Sequence, residues 1–275
     1  MSIPFAEVIG DPIAQSKSPL IHEHWLQLLD IEGDYLRTRV EKADLGAFLA
    51  QRRADPDWRG CNVTVPHKET VVRLLDELDE SAAAVGAVNC VVPHSGRLVG
   101  YNTDVDGVAA ALDATEFEGR DAILIGAGGA ARAAVAYLVG RNLESLTVIA
   151  RDPVKAESLR SLAPRVNFRF AGLDDDPDVE SPSAIINASS LGMVGSPEMP
   201  DSLLGTVAAR ASGATVFDMV YNPLETAFLT AGRDAGGLPV DGLTMLIGQA
   251  ERAFDLFFGR PPRSDRRRVR DLLTT

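Results

Sequence analysis

Cysteine is scarce: Cys61 and Cys90 are the only two in 275 residues, and they form neither a C-x-x-C pair nor a disulfide framework. Two buried, reduced thiols are expected. Long hydrophobic runs are missing as well. No stretch of about 18 apolar residues occurs, so no membrane-spanning helix is expected. The start of the chain, Met1 to Glu7, has neither the basic opening nor the apolar core of a secretion signal, and a soluble cytoplasmic protein is the expectation. Positive charge is in deficit: 27 Lys and Arg against 39 Asp and Glu give a net charge of -12. That argues against a broad basic face for nucleic acid or an anionic membrane. It leaves room for small anions, because one well-placed cation can dominate a pocket. Of the 4 histidines, His22 and His24 are two apart on a helix and do not share a face, so no metal site is implied. Internal repeats and low-complexity tracts are absent.

What is present is an ordinary globular mixture, 45% hydrophobic and 24% charged, at a length that suggests two domains. In the first third, Ile3 to Ile9 reads as a strand, followed by a Pro- and Ser-rich loop, Gly10 to Pro19. Ser18 is expected to cap a helix reaching Leu29, with Pro19 at its first position. Asp34 to Val40 reads as a strand and Lys42 to Arg52 as a helix. Cys61 to Val65 is a β-branched strand stopped by Pro66, and Lys68 to Leu78 has helical periodicity. Strands Val88–Val92 and Leu98–Tyr101 flank the turn His94–Gly96. This alternation suggests a mainly parallel, helix-covered sheet.

The middle of the chain is more regular. Strand Ala122–Ile125 runs into the loop Gly126–Ala130 and an Ala-rich helix to Val139. Strand Leu146–Ile149, a helix from Pro153 to Leu162, and strands Ala184–Ile186 and Thr215–Phe217 complete a doubly wound α/β pattern. A long amphipathic helix, Leu243–Phe258, follows, and Ser264 is placed to cap a last short one. The five acids in Asp174–Glu180 read as a solvated loop. The six arginines in Arg260–Arg270 read as a charged face, or as partners for this acidic chain, in preference to a nucleic-acid arm.

Gly126-x-Gly128-x-x-Ala131, between a buried strand and a helix, fits the dinucleotide fingerprint. Its glycines allow close backbone approach to a pyrophosphate, and the helix N-terminus supplies N–H groups. A tight crossover without a ligand would look similar, but strand, loop, helix and second strand all fall in order here. After the second strand comes Ala150-Arg151, where an NAD site usually places an acid. The Arg151 guanidinium suits a 2′-phosphate, so NADP is expected over NAD. Asp152 complicates this and is placed to cap the next helix ahead of Pro153.

Four polar motifs stand at strand ends or helix starts: SKSP at 16–19, NVTVPHK at 62–68, GAVN at 86–89 and NTD at 102–104. Each residue alone reads as a cap or turn; together, serines, threonine and asparagines suit a polyhydroxylated ligand. Reducing a ketone by hydride transfer also needs a proton at the oxygen. Lys68 and Asp104 can serve, the lysine exchanging the proton and the carboxylate holding the ammonium.

These motifs, with GAGGAAR at 126–132, DMVYNPLET at 218–226 and DGLTMLIGQ at 241–249, resemble the shikimate dehydrogenase family over nearly the whole chain. The resemblance implies NADP-dependent interconversion of shikimate and 3-dehydroshikimate in aromatic amino-acid biosynthesis, with small-molecule partners and neither nucleic acid nor membrane. It implies a substrate-binding, catalytic α/β domain at 1–105 plus 243–275 and a Rossmann-like NADP-binding domain at 106–242. Lys68 and Asp104 match the catalytic pair. Ser16, Ser18, Thr64, Asn89, Tyr221 and Gln249 match positions that hold the substrate. Gly126, Ala127, Gly128, Gly129, Ala130, Arg151, Met219, Gly242 and Met245 match the cofactor side, with Glu80 a further candidate there. His67 stands where many members carry phenylalanine and is expected to line the cleft. Ala150 and Asp152 replace the more usual Asn and Thr.

Two other readings are open: a quinate/shikimate dehydrogenase using NAD or NADP, and a non-catalytic NADP-binding regulator. Ser18 and Ala150 point away from the first, and retention of Lys68 with Asp104 points away from the second. Monomer and homodimer are equally compatible with the sequence.

Overall fold

The computed structural model describes residues 3–262 and 265–274. The chain divides into two units, residues 1–104 with 247–275, and residues 105–246.

The first unit opens with β1 (Phe5–Gly10), α1 (Ser18–Leu28), β2 (Asp34–Arg39), α2 (Leu45–Arg53) and β3 (Trp58–Val63). A single 3-10 turn (Val71–Leu74) leads to β4 (Glu77–Leu78), then α3 (Glu80–Val85), β5 (Cys90–His94) and β6 (Arg97–Tyr101). Its six strands lie in the order β2-β1-β3-β5-β6-β4. β1 is parallel to β2 and β3, and β4 is parallel to β6, while β5 runs antiparallel to both neighbours. The β5–β6 hairpin turns on Ser95 (φ 52°) and Gly96 (φ 81°), the two left-handed residues of a type I′ turn.

The chain passes into the second unit through α4 (Asp104–Leu112). There follow β7 (Asp121–Ile125), α5 (Gly129–Val139), β8 (Ser145–Ile149), α6 (Pro153–Arg160) and β9 (Asn167–Ala171). The unit continues with β10 (Ala184–Asn187), α7 (Asp201–Arg210), β11 (Thr215–Asp218), α8 (Ala227–Asp234) and β12 (Leu238–Val240). All its strands are parallel, in the order β12-β11-β10-β7-β8-β9. This is the doubly wound arrangement, with its switch point between β7 and β10. The central strands are fully buried on both faces, which is why they read as continuous apolar runs. The chain returns to the first unit within α9 (Gly242–Phe258) and ends with α10 (Arg266–Thr274).

Two local expectations are corrected. Ser18 is not a cap: the helix already includes it, Lys17 occupies the cap position, and no side chain caps that end. The helical pattern of 68–78 yields only the 3-10 turn, because Leu75 turns extended and Asp76 N–H donates to the Leu98 carbonyl at 3.0 Å. The Asp76 carboxylate also accepts from Leu98 N–H at 2.7 Å, so pairing with β6 displaces the helix. The first sheet is mainly parallel, as expected, with β5 the one strand that reverses. Cap residue Ser264 lies outside the described residues. By contrast, Asp152 does cap α6, accepting from Val154 and Lys155 N–H.

Glu7 is fully buried on β1 with both oxygens engaged. Arg52 donates from Nε at 2.7 Å and from Nη2 at 3.1 Å, and Thr38 donates from Oγ1 at 2.5 Å. An ionised buried carboxylate requires such pairing. Gly60 (φ +140°) lets α9 approach the sheet: a Cβ there would lie 2.7 Å from the Phe257 ring and 2.4 Å from the Val91 carbonyl. α10 is tied to the unit by Arg266 on Glu251 (2.6 Å), His24 on Asp265 (2.9 Å) and Lys17 Nζ on the Leu273 carbonyl (2.5 Å). So part of the C-terminal arginine run pairs with acids, as its composition suggested.

His22 is buried among aromatic rings, stacked on Tyr35 at 4.0 Å, and neither ring nitrogen has a hydrogen-bond partner. Burial pushes its pKa down to about 3. In the unfolded chain a histidine titrates near ~6.5, so below that pH the unfolded state takes up a proton that the folded state refuses. Stability from this group is therefore complete above about pH 6.5 and is lost as pH falls toward 3. His22→Phe should leave stability at pH 7 nearly unchanged and remove on the order of 3 kcal/mol of the loss between pH 7 and 4. Urea unfolding of both proteins at each pH checks this; parallel pH profiles would refute it.

Candidate active site

Two other chain segments meet the Asp104 carboxylate in the first unit. Asp104 opens α4, and only 8% of its side chain is exposed. Lys68 Nζ donates to its Oδ2 at 2.5 Å, and Asn89 Nδ2 donates to its Oδ1 at 2.9 Å. Lys68 follows the turn after β3, and its main chain is fixed where its carbonyl accepts from Val88 N–H at 2.9 Å. With 24% of its side chain exposed, the lysine is the accessible member of the pair. Asp104 takes one of its three donors.

Asn89 is held by several hydrogen bonds. Its Oδ1 accepts from Thr103 N–H at 2.7 Å, and its Nδ2 also donates to Thr103 Oγ1 at 3.0 Å. Its N–H donates to the Tyr101 carbonyl at 3.1 Å, and its own carbonyl accepts from Val63 N–H at 2.7 Å and Asn62 Nδ2 at 3.3 Å. Asn62 Oδ1 in turn accepts from the Tyr35 hydroxyl at 2.6 Å. Tyr35 is buried, and desolvation pushes its pKa well up. Ser16 Oγ donates to Ser18 Oγ and accepts from Ser18 N–H, both at 3.3 Å. One network thus runs from Tyr35 through Asn62 and Asn89 to Asp104 and Lys68. Gln249 on α9 joins it, accepting from Thr103 Oγ1 at 3.4 Å. Thr64 is half-buried beside Gly10, where a Cβ would come within 2.5 Å of its Cγ2.

His67 does not line this cluster. It is fully buried and donates from Nε2 to the Val40 carbonyl at 2.7 Å, anchoring the turn that presents Lys68. Glu80 lies exposed in the first turn of α3, in the same unit. Tyr35, Asn62 and Thr103 were not singled out from the sequence. Asn62 and Thr103 sit inside the motifs already noted, whereas Tyr35 carries no local signal beyond a strand position.

In the second unit, Gly126 ends β7 at the switch point with φ +110°, and a Cβ there would lie 3.0 Å from the Ala188 and Ser189 backbone. Only glycine fits. At Gly128 and Gly129 a Cβ would meet nothing within 4 Å, so the side of the loop above the α5 N-terminus is open. A groove of about 310 Å³ runs from Gly126–Gly128 to Arg151, Asp152 and Lys155, with Ser189 and Ser190 on its other wall. The exposed Arg151 borders it, as does Lys155, which sequence reasoning passed over as an ordinary helix residue. An open glycine loop at a helix N-terminus with two cations suits a dinucleotide phosphate chain.

Gly242 packs against the segment after β11: a Cβ there would fall 2.5 Å from the Met219 carbonyl. Met245 is buried in the same core cluster that Met219 borders. Tyr221 belongs to this unit too, half-buried, with its pKa raised by desolvation. Asp218 supports the segment, accepting from Asn187 Nδ2 (2.9 Å), Val220 N–H (3.0 Å) and Thr226 Oγ1 (2.6 Å). Burial nevertheless raises its pKa to about 6. Among the described residues no group of His, Cys, Asp and Glu could hold a metal ion, and no helix is long and apolar enough to cross a membrane.

A doubly wound sheet with an open glycine loop at its switch point, in a chain that also carries a braced lysine–carboxylate pair, defines a nucleotide-dependent α/β oxidoreductase type. Comparison with known proteins narrows the class. Residues 8–91 match the family model of the shikimate dehydrogenase substrate binding domain. The chain is 46% identical over 262 residues to the shikimate dehydrogenase (NADP(+)) of Sphingopyxis alaskensis, covering 94% of this chain and 92% of that one. It superposes on the Thermus thermophilus shikimate 5-dehydrogenase in complex with NADP(H) and shikimate with a TM-score of 0.84, at 32% identity, over 98% and 100% of the two chains. The Listeria monocytogenes shikimate 5-dehydrogenase, solved with shikimate and NAD, gives a TM-score of 0.89 at 26% identity, over 98% and 96%. This chain belongs to the shikimate dehydrogenase family.

Replacing Asn89 by Ala would strand the Thr103 N–H and one Asp104 oxygen inside the protein. The expected cost is about 3 kcal/mol, from two unsatisfied buried groups. Denaturant unfolding measures it, and a loss under about 1 kcal/mol would show that the network does not depend on this amide.

Proposed function

We propose that this protein is an NADP-dependent shikimate dehydrogenase, reducing 3-dehydroshikimate to shikimate reversibly in aromatic amino-acid biosynthesis. The observation that carries this reading is the Lys68–Asp104 contact of 2.5 Å, braced by Asn89. Its relatives' names supply the substrate and cofactor class. Residues 1–105 with 243–275 form the substrate-binding, catalytic domain, and residues 106–242 form the NADP-binding domain.

NADPH, when bound, supplies the hydride. The chain supplies placement and the proton. The Lys68 ammonium donates to the ketone oxygen and carries the proton that the new hydroxyl requires; in the reverse direction its amine receives that proton. Asp104 holds the lysine in place through their hydrogen bond. Ser16, Ser18, Thr64, Asn89, Tyr221 and Gln249 hold the hydroxyls and carboxylate of the substrate. Hydroxyl and amide groups suit that task because each can donate or accept. Gly126, Ala127, Gly128, Gly129 and Ala130, with the α5 N-terminus, hold the pyrophosphate, and Arg151 holds the 2′-phosphate. Met219, Gly242 and Met245 complete the cofactor side, with Glu80 as the remaining candidate. Action in the cytoplasm, as a monomer or homodimer without nucleic-acid or membrane partners, belongs to the same proposal.

The direct test is NADPH oxidation by the purified protein with 3-dehydroshikimate, and no turnover from neutral to alkaline pH would sink the reading. Lys68→Ala should lower kcat by roughly a thousandfold, the usual scale of a lost general acid, with KM changed only a few-fold. A rise in KM alone would demote Lys68 to a binding residue.

A further inference from the structure

The groove at the end of β8 contains an acid that the proposed function does not use. Its charged lining consists of Arg151, Asp152 and Lys155. Asp152 Oδ1 accepts from Val154 N–H at 3.0 Å and from Lys155 N–H at 3.2 Å, and the remaining first-turn residue, Pro153, has no N–H. The N-terminal donors of α6, which would otherwise attract an anion, are therefore satisfied by a carboxylate of the chain itself. That carboxylate is half-buried and borders the groove that Arg151 makes suitable for a phosphate. A serine cap could make the same two hydrogen bonds without the charge.

We propose that Asp152 sets the cofactor selectivity of this chain, weakening its preference for a 2′-phosphorylated nucleotide over the unphosphorylated one. This rests on the nucleotide reading of the groove. Two effects act together. Asp152 withholds two backbone donors from the phosphate, and it offsets one of the two cations, leaving a lining charge of one positive unit against a near-dianion. A bound nucleotide without the 2′-phosphate presents no comparable charge at this end of the groove, so its affinity depends little on Asp152. The acid one position after the cofactor arginine thus has two consequences that cannot be separated in the native chain. It stabilises the helix start and it lowers discrimination between the two cofactors.

The test is calorimetric titration of wild type, Asp152→Ser and Asp152→Asn with 2′,5′-ADP and 5′-ADP, without substrate. Both variants can still cap α6. The serine variant should bind 2′,5′-ADP about tenfold more tightly, a scale set by one charge at a partly screened site, with 5′-ADP within about twofold. The asparagine variant should shift in the same direction, and raising the salt concentration should shrink the gap. Unchanged 2′,5′-ADP affinity in both variants, or equal shifts for both nucleotides, would overturn the selectivity role. Failure of the wild type and both variants to bind either probe would instead overturn the nucleotide reading of the groove, and this proposal with it.

Discussion

Asp104 sits where an ionised carboxylate is tolerated only if its oxygens are occupied, with 8% of its side chain exposed. Lys68 occupies one oxygen and Asn89 the other. Everything around the first site follows from meeting that condition. Asn89 can aim its amide only because its main chain is clamped between β3 and β6, through Val63 and Tyr101. Lys68 can reach only because the turn before it is anchored by the His67 ring and its own carbonyl by Val88. The same hydrogen bonds that let the carboxylate be buried also place a solvent-reachable ammonium beside it. Stability and chemistry share one network, so a change at Asn89 or Tyr35 acts on both.

The second unit meets a different constraint, a loop whose backbone is left open to close approach. Parallel strands end together at the switch point, and the glycine loop there has no room for a side chain on one face and open space on the other. Charge is handled locally. The chain carries a net charge of -12, yet the groove has Arg151 and Lys155 against Asp152. Global acidity says little about such a pocket, because its own charges line it directly whereas the remaining charges are screened over about 8 Å at physiological salt.

Legibility tracked the distance along the chain over which a feature is decided. The glycine loop, the buried strands β7, β8, β10 and β11, and the Asp152 cap are set within a few residues, and they read directly from the sequence. Lys68 and Asp104 were recognisable as chemical types at strand ends and helix starts. The expected helix at 68–78 failed because its apolar spacing serves a turn and an edge strand paired to β6. Ser-Pro is a strong helix-start signal, but the helix already includes Ser18, and its hydroxyl accepts from Ser16 Oγ. His67 was assigned to the cleft because it lies beside Lys68. Neighbouring residues on an extended turn point in different directions, and its ring faces the core. β9, α7, α8 and β12 were missed, being short elements of three to ten residues whose patterns are too brief to stand out.

Residue identity and local order were enough to establish the α/β class, the glycine loop and the chemical groups available for a proton transfer. Local propensity, turn chemistry and hydrophobic period act over one or two turns of chain, and each leaves its mark in adjacent residues. Which groups meet was settled by packing. Lys68 and Asp104 are 36 residues apart, Asn89 and Asp104 15, and Tyr35 and Asn62 27. No short-range rule links such pairs. They are joined by strand order, by register, and by the cost of leaving any buried donor or acceptor unpaired, a condition satisfied only once the whole sheet has formed.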